Sequence, residues 1–235
     1  DKHYDPIIKK FKEDKLTGKA LAEWKYQRYM HDYMRVIHSV DRNVGRVIDY
    51  LRKHNLLDNT LIVYTSDQGF YMGEHGWFDK RFMYEESFRT PLLMYMPGGK
   101  RGDITEMVQN IDYAPTFLQL AGVQVPKDIQ GVSMLPLLKG KRVPWRKSLY
   151  YHYYEFPDEH NVCRHYGVKD QRYVLIHFYD DIDAWELYDL KTDPSQLNNI
   201  YGKPGTETIT RNLKKELLRL QEQYNDPIRH KMVKE

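Results

Sequence analysis

A single cysteine, Cys163, is all the thiol chemistry in this chain, so an internal disulfide and a cysteine-based zinc site are both excluded. No apolar run approaches the roughly 20 residues that a membrane helix needs. The opening Asp1-Lys2-His3-Tyr4-Asp5-Pro6 also lacks the apolar stretch of a signal peptide. Because the sequence does not start with methionine, a processed or excised piece is the expectation. Long Lys/Arg blocks are absent too: 36 basic and 33 acidic side chains are mixed along the chain for a net charge of +3, which gives no nucleic-acid footprint. Internal repeats and low-complexity segments are missing. What is present is globular composition, with 41% hydrophobic residues and 20 tyrosines, enough to offset ordering entropy.

Apolar residues at Val36, Val40, Val44, Val47, Ile48 and Leu51 recur at helical spacing, which predicts a long amphipathic helix from about Lys19 to Asn55. Leu61 to Thr65 then reads as a short, continuously apolar strand, suited to the centre of a parallel sheet. A glycine-rich polar stretch from Ser66 to Thr90 precedes a second strand over Pro91 to Met96. Helix, strand, loop, strand is α/β grammar. Val108 to Ile111 reads as another strand. Asp112 is placed to cap a helix reaching Leu120, and Ser133 to cap a short one over Leu135 to Leu138. After Pro144 the pattern changes to aromatic, strand-like runs at Ser148–Phe156, Arg172–Tyr179 and Trp185–Leu190, followed by a helix from about Thr206 to Tyr224. The expected organisation is an α/β domain over residues 1–143 and a small α+β subdomain over 144–235, with an antiparallel sheet and a terminal helix.

In open α/β sheets, ligands collect where strands end at their carboxyl side, because loop groups converge there unfilled by core packing. Ser66-Asp67-Gln68-Gly69 occupies such an end. Asp67 and Gln68 offer hard oxygen donors suited to calcium or magnesium; taken alone, the same dipeptide reads equally as a turn cap. Lys80 in isolation is an ordinary solvated loop charge. Tyr151 to Glu155 and His160 to Tyr166, with Arg164 and His165, combine flat aromatic surface with cationic donors, which suits a sulfated or carboxylated sugar. A tyrosine-packed sheet beside a solvated basic loop is the bland equivalent.

The constellation Thr65-Ser66-Asp67-Gln68-Gly69, Gly73-Glu74-His75-Gly76, Lys80, Tyr84-Glu85 and Arg89-Thr90-Pro91-Leu92 resembles the second signature region of the sulfatase family, whose members share an alkaline-phosphatase-like sheet. Asp112-Tyr113-Ala114-Pro115-Thr116, Gly131-Val132-Ser133 and Trp185-Glu186-Leu187-Tyr188-Asp189-Leu190 with Asp193-Pro194 are similar to its C-terminal region, so the resemblance runs from about Tyr29 onward. It implies hydrolysis of sulfate esters, on a glycan by likeness to bacterial N-acetylglucosamine-6-sulfatase-type enzymes, and a periplasmic or secreted setting. It further implies that Asp67 and Gln68 ligate an active-site Ca2+ (or Mg2+), that Lys80 touches the sulfate, and that His75 either reaches the sulfate or steadies Asp67 or Lys80. Arg164, His165 and His160 become candidate sugar contacts. Tyr84 and Glu85 are expected to brace the loop.

The family's nucleophile is a formylglycine made from the first residue of a Cys/Ser-x-Pro-x-Arg motif, and no such motif occurs in these 235 residues. Cys163 is followed by Arg164-His165-Tyr166-Gly167 and does not fit it. Asp180-Asp181 lies in a late hairpin and is rejected as the family's other aspartate pair. An incomplete active site is therefore expected. The rival readings are a phosphoester or phosphonate hydrolase of the same superfamily and a catalytically silent glycan-binding module.

Overall fold

The structure, a computed structural model, describes residues 2–157, 159–180 and 182–228. Asp181, half of the rejected aspartate pair, lies outside the described residues. The chain divides into two compact units: Asp1–Thr60 with Met72–Phe78, and Leu61–Tyr71 with Asp79–Glu235. No described helix is long and apolar enough to cross a membrane.

The first unit is helical. Helix α1 spans Tyr4–Asp14 and ends on Lys15 in the left-handed region, a conformation that stops a helix. Helix α2 spans Gly18–Lys53, the long helix expected from the apolar spacing. Phe11 stacks on Trp24 with centroids 4.3 Å apart, which joins the two helices. Asn55 adopts φ 58° and the Leu56 amide donates back to the Leu51 carbonyl at 2.8 Å, closing the end of α2.

The second unit begins with β1, Ile62–Thr65. After α3 (Glu85–Phe88) comes β2, Leu92–Tyr95. These strands form a two-stranded antiparallel ladder, with Ile62 opposite Tyr95 and Thr65 opposite Leu92. This ladder is an antiparallel part of the mixed sheet expected for the α/β domain. A parallel partner requires a crossover, usually a full helix. Here the chain doubles back, and the Thr65 hydroxyl donates to the Pro91 carbonyl at 2.9 Å to close the open end.

Helix α4 covers Tyr113–Leu120 and α5 covers Leu135–Leu138. Two expectations fail just before α4. Val108 to Ile111 forms no strand, since Asn110–Asp112 is a 3-10 turn, and Asp112 makes no side-chain cap. The cause is that the Asp112 carboxylate is fully buried and accepts from the Gln109 amide (2.8 Å), the Val132 amide (2.8 Å) and Arg146 Nη2 (2.6 Å). A buried carboxylate takes every donor it can reach. Ser133 does accept from the Leu135 amide, at 3.3 Å.

Strands β3 (Ser148–Tyr153), β4 (His165–Asp170), β5 (Tyr173–Phe178) and β6 (Ala184–Asp189) form an antiparallel meander in sequence order, and α6 spans Glu207–Gln223. Strand β4 replaces the basic loop read around Arg164 and His165, its ladder running from Tyr153 opposite His165 to Ser148 opposite Asp170. Both faces of this sheet are covered. Leu213, Leu217 and Leu220 of α6 pack on Tyr166, Val168, Leu175 and Leu187. The other face carries Val174, Ile176, Phe178 and Tyr188, against which Met83 packs with Phe82, Tyr84 and Phe88 at its edge. The loop following Lys80 is therefore seated on the meander.

Gly167 makes this seating possible, because a Cβ there would lie 2.4 Å from Met83 Sδ and 2.6 Å from the Leu175 carbonyl oxygen. Gly167→Ala is expected to lower stability by about 1–3 kcal/mol, as overpacked cores do. Urea unfolding reads this as a lower midpoint at unchanged slope. An unchanged midpoint contradicts the seating.

Candidate functional site

Strand β1 ends by presenting Asp67 and Gln68. Thr65 Oγ1 lies 2.8 Å from the Tyr113 hydroxyl, and the Ser66 hydroxyl donates to the Gln68 carbonyl at 2.8 Å, so local side chains shape the turn. The Gly69 amide then donates to the Ser87 carbonyl at 2.7 Å. A Cβ at Gly69 would stand 2.0 Å from the Glu86 carbonyl oxygen, so only glycine lets the two backbones come this close.

Lys80 is fixed through its neighbours. The buried Tyr71 donates its amide to the Asp79 carbonyl at 2.8 Å and its hydroxyl to the Phe82 carbonyl at 3.1 Å. On the other side, the Tyr151 hydroxyl of β3 donates to the Arg81 carbonyl at 2.6 Å. Burial raises the pKa of both phenols, which keeps them protonated as donors. An Asp79–Arg81 ion pair closes the loop at its base.

Asp67, Gln68 and Lys80 line one open cleft of about 1590 Å³, together with Glu85, Lys169 and His152. That is larger than the roughly 300–1,000 Å³ of a small-molecule pocket, so the polar groups, not the volume, define the site. Lys169 is ion-paired with Glu85. Among the described residues no hydrogen bond or ion pair engages the Lys80 ammonium or the Gln68 side-chain amide. A half-buried ammonium with no internal partner, on the same cleft as a carboxylate and an amide oxygen, suits an external oxyanion and cation.

The donor chemistry fits a hard cation, and the count falls short. Calcium takes about six to eight oxygens, whereas Asp67 and Gln68 supply two neighbouring donors. Among the described residues no cluster of three or more His, Cys, Asp or Glu side chains could hold a metal.

The other expected residues are placed differently. His75 lies in the first unit, on a 3-10 turn over Glu74–Gly76, with φ 53°. His160 is exposed, 3.8 Å from Asp79. Arg164 donates to the Tyr154 carbonyl (2.9 Å) and the Phe156 carbonyl (2.7 Å) and lies 3.6 Å from Asp180, so its guanidinium holds its own hairpin. His165 is fully buried, its ring 4.9–5.7 Å from those of Phe82, Tyr151, Tyr153 and Phe178. The expected sugar contact at His165 gives way to that burial. Tyr84 and Glu85 do brace the loop, through Glu186 (2.9 Å) and Lys169. Sequence reasoning missed Tyr151 as a fastener; its signal was a polar-tipped ring in a strand beside a loop needing a donor.

Comparisons place these residues in context. The Sulfatase family profile matches residues 2–123, and that of N-sulphoglucosamine sulphohydrolase, C-terminal, matches residues 73–223. An N-acetylglucosamine-6-O-sulfatase of Bacteroides thetaiotaomicron is 52% identical over 231 residues, covering 96% of this chain and 41% of the relative. A multifunctional alkaline phosphatase superfamily protein of Trinickia caryophylli is 32% identical, covering 89% of this chain and 44% of that protein. A structure solved with its substrate D-glucosamine-2-N,6-O-disulfate superposes with a TM-score of 0.90 at 52% identity, covering 95% of this chain and 46% of that one. The chain thus spans less than half the length of the relatives it matches, and shares their mixed α/β fold.

Burial pushes His165 down to about 4, from an ordinary 6.5. As pH falls from 6.5 toward 4, the unfolded chain binds a proton that the native ring refuses, and stability drops on the order of 3 kcal/mol across that window. Above it the contribution is constant. His165→Phe is expected to flatten the pH dependence of the urea midpoint between pH 7 and 4.5; an unaltered slope contradicts the buried neutral ring.

Proposed function

This chain belongs to the sulfatase family, and on that premise we propose that it supplies the metal and sulfate half-site of a sulfuric ester hydrolase acting on a sulfated amino sugar. The observation that carries this reading is that Asp67, Gln68 and a partner-free Lys80 line one cleft. Residues 1–143 would belong to the catalytic α/β domain and 144–235 to an appended subdomain. A periplasmic or secreted setting accompanies the reading.

In this mechanism Asp67 and Gln68 would hold Ca2+ or, second, Mg2+. When bound, the cation withdraws charge from the sulfate oxygens and completes the electrostatic cradle. Lys80 would bind the sulfate group and stabilise negative charge as the ester S–O bond breaks and its electron pair passes to the departing sugar oxygen. The nucleophile, a formylglycine in this family, would come from sequence beyond these 235 residues. By the family resemblance His75 would either reach the sulfate or the leaving oxygen, or steady Asp67 or Lys80. His160 and Arg164 remain candidates for the sugar rim, where His160 is the more exposed of the two. The relative's N-acetylglucosamine-6-O-sulfatase name and the bound glucosamine disulfate of the structural neighbour support an amino-sugar substrate.

A phosphoester or phosphonate reading draws support from the alkaline phosphatase superfamily relative. Paired sulfate and phosphate esters of one sugar separate the two: the full-length protein is expected to prefer the sulfate, and a phosphate preference overturns the proposal. Lys80→Ala should lower kcat/KM for the sulfate ester by about 10²–10³-fold, the loss seen when one oxyanion donor is removed. Calorimetry on the isolated chain should show no micromolar calcium affinity, because two donors do not make a calcium site. Micromolar binding would contradict that assignment.

A further inference from the structure

We propose that Gln196, far from the cleft in sequence, is a positioning residue for the Asp67–Gln68 turn, an inference that rests on the metal role given to that turn above. The Glu85 amide is the first of α3 and has no partner within the helix. It donates to Gln196 Oε1 at 2.7 Å, across 111 residues of sequence. Tyr84, the N-cap position, makes no side-chain cap, so Gln196 caps α3 in its place.

Gln196 is built for this task. It is 2% exposed and sits at φ 50°, in the left-handed region that a residue with a side chain adopts only when its surroundings impose it. The Asp193-Pro194 turn imposes it: the Gln196 amide donates to the Asp193 carbonyl at 3.2 Å, while the Asp193 carboxylate accepts from the Leu197 and Asn198 amides at 3.2 and 2.8 Å. Lys169 of β4 grips the Glu85 carboxylate from a second direction. Both polar ends of Glu85 are thereby held by the segment 148–196.

From Glu85 the constraint reaches the turn in two steps. Ser87, buried at 5% exposure, lies in the same single-turn helix, and its carbonyl receives the Gly69 amide. Gly69 directly follows Gln68, and its contact with the Glu86 carbonyl leaves no space for a shift toward α3. Displacing the start of α3 therefore displaces the acceptor that aims Asp67 and Gln68. Gln196 touches no ion and no substrate; it acts through Glu85 and Ser87.

Gln196→Leu and Gln196→Glu in the full-length protein test this, the second keeping an acceptor for the Glu85 amide. Three readouts are compared: hydrogen exchange at the Gly69 amide without calcium, the calcium concentration for half-maximal thermal stabilisation, and kcat against KM on a 6-sulfated glucosamine. Gln196→Leu is expected to speed Gly69 exchange selectively over amides of β3–β6, weaken calcium by about 10–100-fold, as loss of a ligand-orienting partner does, and lower kcat more than it raises KM. Gln196→Glu, whose buried carboxyl keeps the acceptor at lowest cost when neutral, is expected to recover Gly69 protection progressively as pH falls. Unchanged Gly69 exchange in Gln196→Leu, or exchange that rises only in step with the sheet amides, overturns the inference. Asp67→Ala is the control: if it leaves calcium response and turnover intact, the functional reading fails, whatever Gln196 does to Gly69.

Discussion

One backbone hydrogen bond, from the Gly69 amide to the Ser87 carbonyl, ties the turn after β1 to the loop that follows Lys80. It forms because residue 69 has no side chain to keep the two backbones apart. Everything proposed for the cleft depends on it. Without that bond Asp67 and Gln68 would sit on a turn shaped only by its own side chains and by Thr65, with no tie to the loop that carries Lys80.

The meander of β3–β6 supplies the rigidity behind this contact. One of its faces is closed by α6, and the other receives Met83 into the space left by Gly167. Tyr151 reaches from β3 to the Arg81 carbonyl, and Lys169 from β4 to Glu85. A charged loop residue carries ordering entropy that its own contacts do not repay when its ammonium is left for a ligand. The tyrosine-rich sheet repays it, by apolar burial and by hydroxyl donors kept protonated through burial. The second face of the sheet is thus both core and scaffold.

Periodicity made part of this legible. Helix α2, strands β1 and β2 and helix α6 all fall where apolar spacing put them, because each buries a regular stripe. Strand β4 was hidden by its flanking charges: Cys163-Arg164-His165 reads as a basic loop, yet the Tyr166–Val168 alternation buries one face completely. Asp112 was misread because a cap and a buried ion-pair partner look alike in sequence, and only Arg146, 34 residues on, decides between them. The same distance rule divides the site. Asp67, Gln68 and Lys80 stand in one local constellation and could be named from sequence. Tyr151 lies 70 residues from Arg81 and Gln196 lies 111 from Glu85, and no local pattern announces such pairings.

The convergence of the Asp67 carboxylate and the Lys80 ammonium on one bound ion pair is the claim at the centre of this account. A crystal structure of the full-length protein with calcium and inorganic sulfate measures it directly. The account predicts Asp67 and Gln68 oxygens on the calcium and Lys80 Nζ in hydrogen-bond contact with a sulfate oxygen of the same site. A sulfate bound without Lys80, or a calcium held elsewhere with Asp67 facing solvent, would contradict it.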